Sequence, residues 1–231
     1  FSKRRHAVAY WQINQLKTGA LVVRLHDNKR LIESLRKMGK AEIATQKEYE
    51  SLAINKNIVK AFLSYYTFSK VYFIFSQNND SLLKGGRIGI FVDTNLTVNY
   101  SIEMKESFYM LIEKDDIYNS SIGFVKEDTA KYIKECGNVT NHINYLVMKN
   151  KYGHQLKDPF PMTASANTND PGSPSTYIII NGAIIDFSVE KPQRLSRYCA
   201  FAKNLSSKFT RFYNENKDYE VTDPNIKPFL Y

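Results

Sequence analysis

The sequence predicts one α/β domain of 231 residues, built on a mixed sheet of about five to seven strands with N-terminal helices and a long C-terminal helix packed on it. Three observations predict it. Short apolar runs rich in Val, Ile, Phe and Tyr recur through the middle of the chain, as strands covered on both faces do. Apolar residues at helical spacing mark segments near both ends. The composition, 43% apolar and 24% charged, suits a chain that buries a sizeable core. A segregated α+β arrangement is the alternative, since helices at the ends and strands between them allow either.

The chain opens on FSKRRH, read as a basic tail, and reaches a compact β-branched run at Ala20 to Leu25, read as a buried strand. Asp27 or Asn28 then caps a short helix in which Leu31, Ile32, Leu35 and Met38 share a face before Gly39. A longer helix is expected from about Ala41 to Tyr66, with Leu52, Val59, Phe62, Leu63 and Tyr66 at helical spacing. Val71 to Phe75 reads as a central strand, and Ile88 to Val92 and Phe108 to Glu113 repeat its pattern.

Beyond these, a short helical segment between Asp128 and Cys136 ends at Gly137, and INYLVMKNKYGHQL reads as a hairpin turning near Lys151 to Gly153 and leading into DPFP. A mobile loop is expected at about 164–175, where two prolines, a glycine and short polar residues cannot build a core. It is too short for a domain linker, so residues 1–231 are read as one domain. Two apolar arms around Asn181-Gly182 give the strongest hairpin signal, because this dipeptide tolerates the positive φ angles of a type I′ turn. Pro192 can start the last helix, whose apolar stripe is Leu195, Cys199, Ala202, Leu205, Phe209 and Phe212. Its opposite face carries Arg194, Arg197, Lys203, Lys208 and Arg211.

The net charge of +9 is concentrated at the ends. Residues 1–60 hold thirteen Lys/Arg against five Asp/Glu, and residues 187–217 hold seven against two, while the middle is slightly acidic. A positive helical face would suit an anionic partner: an acidic glycan, a lipid head group or an acidic protein surface. Nucleic acid fits less well, because the aromatics lie in hydrophobic runs and are not interleaved with Lys/Arg as stacking platforms are. With 16 Tyr and 14 Phe, some Tyr must reach the surface. No stretch approaches the roughly 18 apolar residues of a transmembrane helix. Cys136 and Cys199 are too few for a disulfide framework and suit either redox compartment, and Cys199 reads as an inert buried thiol.

Catalytic signatures are missing. There is no Gly-x-Ser-x-Gly and no Cys-x-x-Cys, and Gly85-Gly86 precedes a strand and so fails the context of a phosphate loop. The histidines, His6, His26, His142 and His154, show no metal-ligand spacing, so neither metal nor cofactor is expected. The candidates for an unrecognised site at the strand ends are His26, just past the first strand, and Asp93 and Glu113, which end apolar runs. Paired carboxylates there could hold Mg²⁺, but alternation along the strand puts Glu113 and Lys114 on opposite faces and turns the lysine away from such a metal, so none is expected there. The reading leans to a non-enzymatic binding protein, with an enzyme, hydrolytic in the first instance, as the alternative.

The blocks WQINQLKTGALVVRL, HDN with the helix after it, KVYFIFS and GHQLKDPFP together resemble a family of bacterial exported proteins without an established activity. The resemblance covers most of the chain and brings no site residues. It implies a periplasmic or secreted protein, and the absence of Met at position 1 fits a removed leader. The alternative location is the cytoplasm.

Overall fold

A computed structural model describes residues 2–25, 27–115, 145–152, 163–165, 177–180, 183–186 and 197–218. Helix α1 (Ser2–Thr18) leads into strand β1 (Ala20–Leu25), then α2 (Lys29–Lys37), α3 (Ala41–Tyr65) and β2 (Lys70–Phe75). A short helix α4 (Asn79–Leu83) precedes β3 (Tyr109–Asp115), β4 (Tyr145–Lys149), β5 (Thr163–Ser165), the paired β6 (Tyr177–Ile180) and β7 (Ala183–Asp186), and α5 (Arg197–Asn216).

The class is α/β with a mixed sheet. Its hydrogen-bonded order is β2-β1-β3-β4-β5, with β1 parallel to β2 and β3, and β4 antiparallel to β3. Four of these strands are five to seven residues long and make up the body of the sheet, and β5 adds only a three-residue ladder at the far edge, so the expected count of up to seven is not reached among the described residues. β6 and β7 stand apart as a separate antiparallel pair, with Ile180 opposite Ala183 as the Asn181-Gly182 signal requires. The loop expected at about 164–175 starts inside β5, and its remainder lies outside the described residues, as do the helical segment 128–136 and the return arm through His154.

Alternation along β1 divides the core. Leu21, Val23 and Leu25 face α1, α3 and α5, together with Phe73, Met110, Ile112, Leu146 and Met148. Ala20 and Val22 face the other way, onto Leu82, Ile90, Phe91 and Met104 of the segment between β2 and β3. The connections explain this. The chain leaves β1 for β2 through α2 and α3 on one face, then reverses direction to reach β3, and that second connection covers the opposite face.

Three expectations are corrected here. FSKRRH is no tail, because α1 begins at Ser2, and α1 packs on α5 through Tyr10 and Phe212, whose ring centroids are 5.0 Å apart. Val71 to Phe75 is an edge strand, not a central one. Its two-sided apolarity arises because α3 and α5 cover one face while residues 90–104 cover the other. The same segment protects the open edge, with Val92 N–H donating to the Phe73 carbonyl at 2.9 Å and Ile74 bridging Phe91. Ile88 to Val92 therefore forms isolated bridges and no strand of its own.

Local chemistry sets the corners. Asp27 Oδ1 accepts the Lys29 N–H at 3.3 Å, while Asn28 takes a left-handed φ of 51° and makes no side-chain cap, so Asp27 is the residue that starts α2. At the other end Gly39, with φ 72°, lets Lys40 N–H reach the Leu35 carbonyl and Gly39 N–H the Arg36 carbonyl, a Schellman stop. In α3, Val59 and Phe62 are buried, as is Tyr66 just past its end, whereas Leu52 and Leu63 are exposed. Cys199 is half-buried against the core, and Cys136 lies outside the described residues.

Gly19 joins α1 to β1 where the chain touches the strand after next. A Cβ there would lie 2.5 Å from the Phe108 carbonyl oxygen and 2.9 Å from that of Gln15, both backbone. Gly19→Ala is expected to cost about 2 kcal/mol or more, since backbone has to shift. Urea denaturation measures it.

On β2, Tyr72 donates to Glu106 Oε2 at 2.9 Å and Lys70 pairs with Glu106 Oε1 at 2.7 Å, strapping the connection to the edge strand. Burial, the hydrogen bond and charge of Glu106 and the charge of Glu103 push the Tyr72 phenol up to about 12. Burial alone would raise the Glu106 carboxyl, but the hydrogen bonds from Lys70, its own backbone N–H and Tyr72, with the Lys70 charge, hold it below its ordinary value. A lowered carboxyl stabilises above its unfolded pKa and stops doing so as pH falls through its folded one, while a raised phenol stabilises up to pH 10 and stops doing so towards about 12. Glu106→Gln should therefore flatten the acid limb of stability against pH, and Tyr72→Phe the alkaline limb, both read by denaturant unfolding across pH.

Candidate functional site

In an open α/β sheet the crevice for ligands lies outside the carboxyl ends of the strands, where successive connections diverge. Here that is the end of β1 and β3, the position from which Arg24 and Glu113 project. Glu113 is 3% exposed and forms ion pairs with both Arg24 and Lys149. The register places all three on one face, since Arg24 pairs with Glu113, and Lys149 lies opposite Leu111, two residues before Glu113. A carboxylate held between two cations is neutralised in place and is not presented to a metal.

Asp93 does something else. Its Oδ1 accepts the N–H groups of Asn95 at 2.9 Å and Thr97 at 3.1 Å, closing a turn in which Leu96 adopts φ 63°. Phe91 bridges Ile74, Ile74 pairs with Arg24, and Arg24 with Glu113. The Asp93 segment is thus three strand spacings, about 14 Å, from Glu113. The two carboxylates do not converge. His26 lies outside the described residues. Among the described residues no group of three His, Cys, Asp or Glu side chains is placed to hold a metal ion.

The second candidate is the outer face of α5. Tyr198, Phe201, Ala202, Leu205 and Phe209 are buried against α3, α1 and the sheet, with Phe68 stacked edge-on to Phe209 at 5.5 Å. That fixes which side faces solvent: Lys203, Lys208 and Arg211 are exposed and form no ion pair among the described residues. Arg194 and the Arg197 side chain lie outside the described set.

Beside these cations runs an open groove of about 580 Å³ lined by Thr67, Ser206, Ser207, Thr210, Arg211, Asn214 and Glu215. Its floor is tied by Ser206 Oγ, which accepts the Thr67 N–H at 3.0 Å and lies 3.1 Å from Thr67 Oγ1. Lys203, Ser207, Thr210, Arg211 and Asn214 follow one helical stripe, and Lys208 borders it. In the sequence the cations stand out by charge, whereas the hydroxyls and the amide between them do not. Their signal is the same helical spacing applied to polar residues.

With this geometry in view, comparison with protein families, with curated proteins and with solved structures found no match for the chain.

Breaking the buried cluster on β1, β3 and β4 should be costly, because it strands two cations. Glu113→Ala is expected to lose about 3 kcal/mol of stability or more. Thermal and urea unfolding check it, and a loss near zero would mean that the carboxylate is dispensable to the fold.

Proposed function

We propose that the chain is a non-enzymatic, exported binding protein that holds an acidic glycan against the outer face of α5. The observation that carries this reading is the stripe itself, where Lys203, Lys208 and Arg211 stand exposed beside a groove of hydroxyl and amide side chains. Cations supply attraction to sulfate or carboxylate groups, and hydroxyls and amides supply the neutral hydrogen bonds that sugar hydroxyls require. Export rests on the resemblance to bacterial exported proteins.

The competing reading, an enzyme working at the strand ends through His26, Asp93 and Glu113, loses support from the turn-closing role of Asp93 and the two ion pairs that engage Glu113. Elution from an immobilised sulfated polysaccharide tests the proposal. Replacing Lys203, Lys208 and Arg211 together by Glu should weaken binding about tenfold or more, taking about 0.5 kcal/mol for each exposed contact, with unfolding unchanged. Elution at an unchanged salt concentration would remove the stripe from the account.

A further inference from the structure

The α2 helix leaves bare side chains that its own pattern marks for burial. Leu31, Leu35 and Met38 follow i, i+4, i+7 spacing, yet Leu31 is 48% and Met38 58% exposed, and only Ile32 of this helix is buried. Ile43, at the start of α3, is 45% exposed. Two contacts define the corner that carries them. The Schellman stop at Gly39 fixes the turn, and Arg36 Nη2 pairs with Glu48 Oε2 of α3 at 2.5 Å.

Cations border the apolar ridge. Residues 29–40 contain five Lys/Arg against one Glu. Arg30, Lys37 and Lys40 are exposed and form no ion pair among the described residues. On the helical projection Leu31, Leu35 and Met38 occupy one side, with Arg30 and Lys37 beyond its margin. An apolar ridge alone would accept any apolar surface, but a cationic margin selects one whose apolar interior lies beneath a negatively charged layer.

We propose that α2 and the start of α3 form a docking ridge for an anionic phospholipid surface. Leu31, Met38 and Ile43 enter the boundary between head groups and acyl chains, while Arg30, Lys37 and Lys40 meet the lipid phosphates. No described helix is long and apolar enough to cross a membrane. It uses no residue of α5 and does not depend on the glycan reading.

The test is co-sedimentation of the full chain with vesicles of phosphatidylcholine, with and without phosphatidylglycerol. The chain should bind the anionic vesicles and not the neutral ones. Arg30→Gln with Lys37→Gln should weaken binding at low salt about 25-fold, fivefold per cation. Leu31→Ser with Met38→Ser should remove it while leaving thermal unfolding unchanged, because both side chains are already in water. Lys203→Glu, Lys208→Glu and Arg211→Glu together should leave vesicle binding as in the parent. The proposal is overturned if neutral vesicles bind equally well, or if the α5 substitutions abolish binding and the α2 substitutions do not. It is equally overturned if Leu31→Ser converts a dimer to a monomer, since the ridge would then be covered by a second copy.

Discussion

Strand β1 is buried on both faces, and its six residues impose conditions that the rest of the chain meets. Every backbone group of ALVVRL needs a partner inside the protein, so β1 has a parallel neighbour on each side. Its side chains alternate between two cores, so both faces need cover, and the two crossover connections supply it from opposite sides. Its single charged residue, Arg24, ends up beside β3, where Glu113 balances it and Lys149 completes the cluster. A buried carboxylate with one partner removed is far more costly than an intact pair, so this polar cluster also fixes the register of three strands.

That condition bears on function. In this class of sheet the carboxyl ends of the parallel strands are where chemistry is ordinarily placed, and the candidate acids were sought there. Glu113 is buried and committed to the register of the sheet, and Asp93 closes a turn beyond its edge, so the two do not face one another. The solvated polar groups that do line up lie on helices: the stripe of α5 and the cationic margin of α2. Both are proposed above as contact surfaces.

Much of the fold could be read from residue patterns, and the failures have specific physical causes. Ala20–Leu25, Tyr109–Asp115 and Ala41–Tyr65 fall where the apolar spacing put them, because their burial follows directly from that spacing. β2 lies at the edge although its run is apolar on both faces, because such a run reports cover on two sides, not strands on two sides. Ile88 to Val92 was read as a strand since its residues have the right character, but it pairs only through isolated bridges that seal the β2 edge. The Leu31 face of α2 looked like core because a pattern cannot say whether a partner surface exists. At the candidate sites, residue types suggested Asp93 and Glu113, but their partners are remote in sequence: Lys149 is 36 residues from Glu113. The cations of α5 were visible because one helix carries them all.

The central claim is that ligand binding resides on the α5 stripe and not at the strand ends. Amide hydrogen exchange with and without a sulfated oligosaccharide tests it most directly. The account predicts slowed exchange confined to α5 and the neighbouring Thr67, with Arg24 to Lys29 and Ile112 to Asp115 unchanged. Protection confined to those two strand ends, with α5 unaffected, would contradict it.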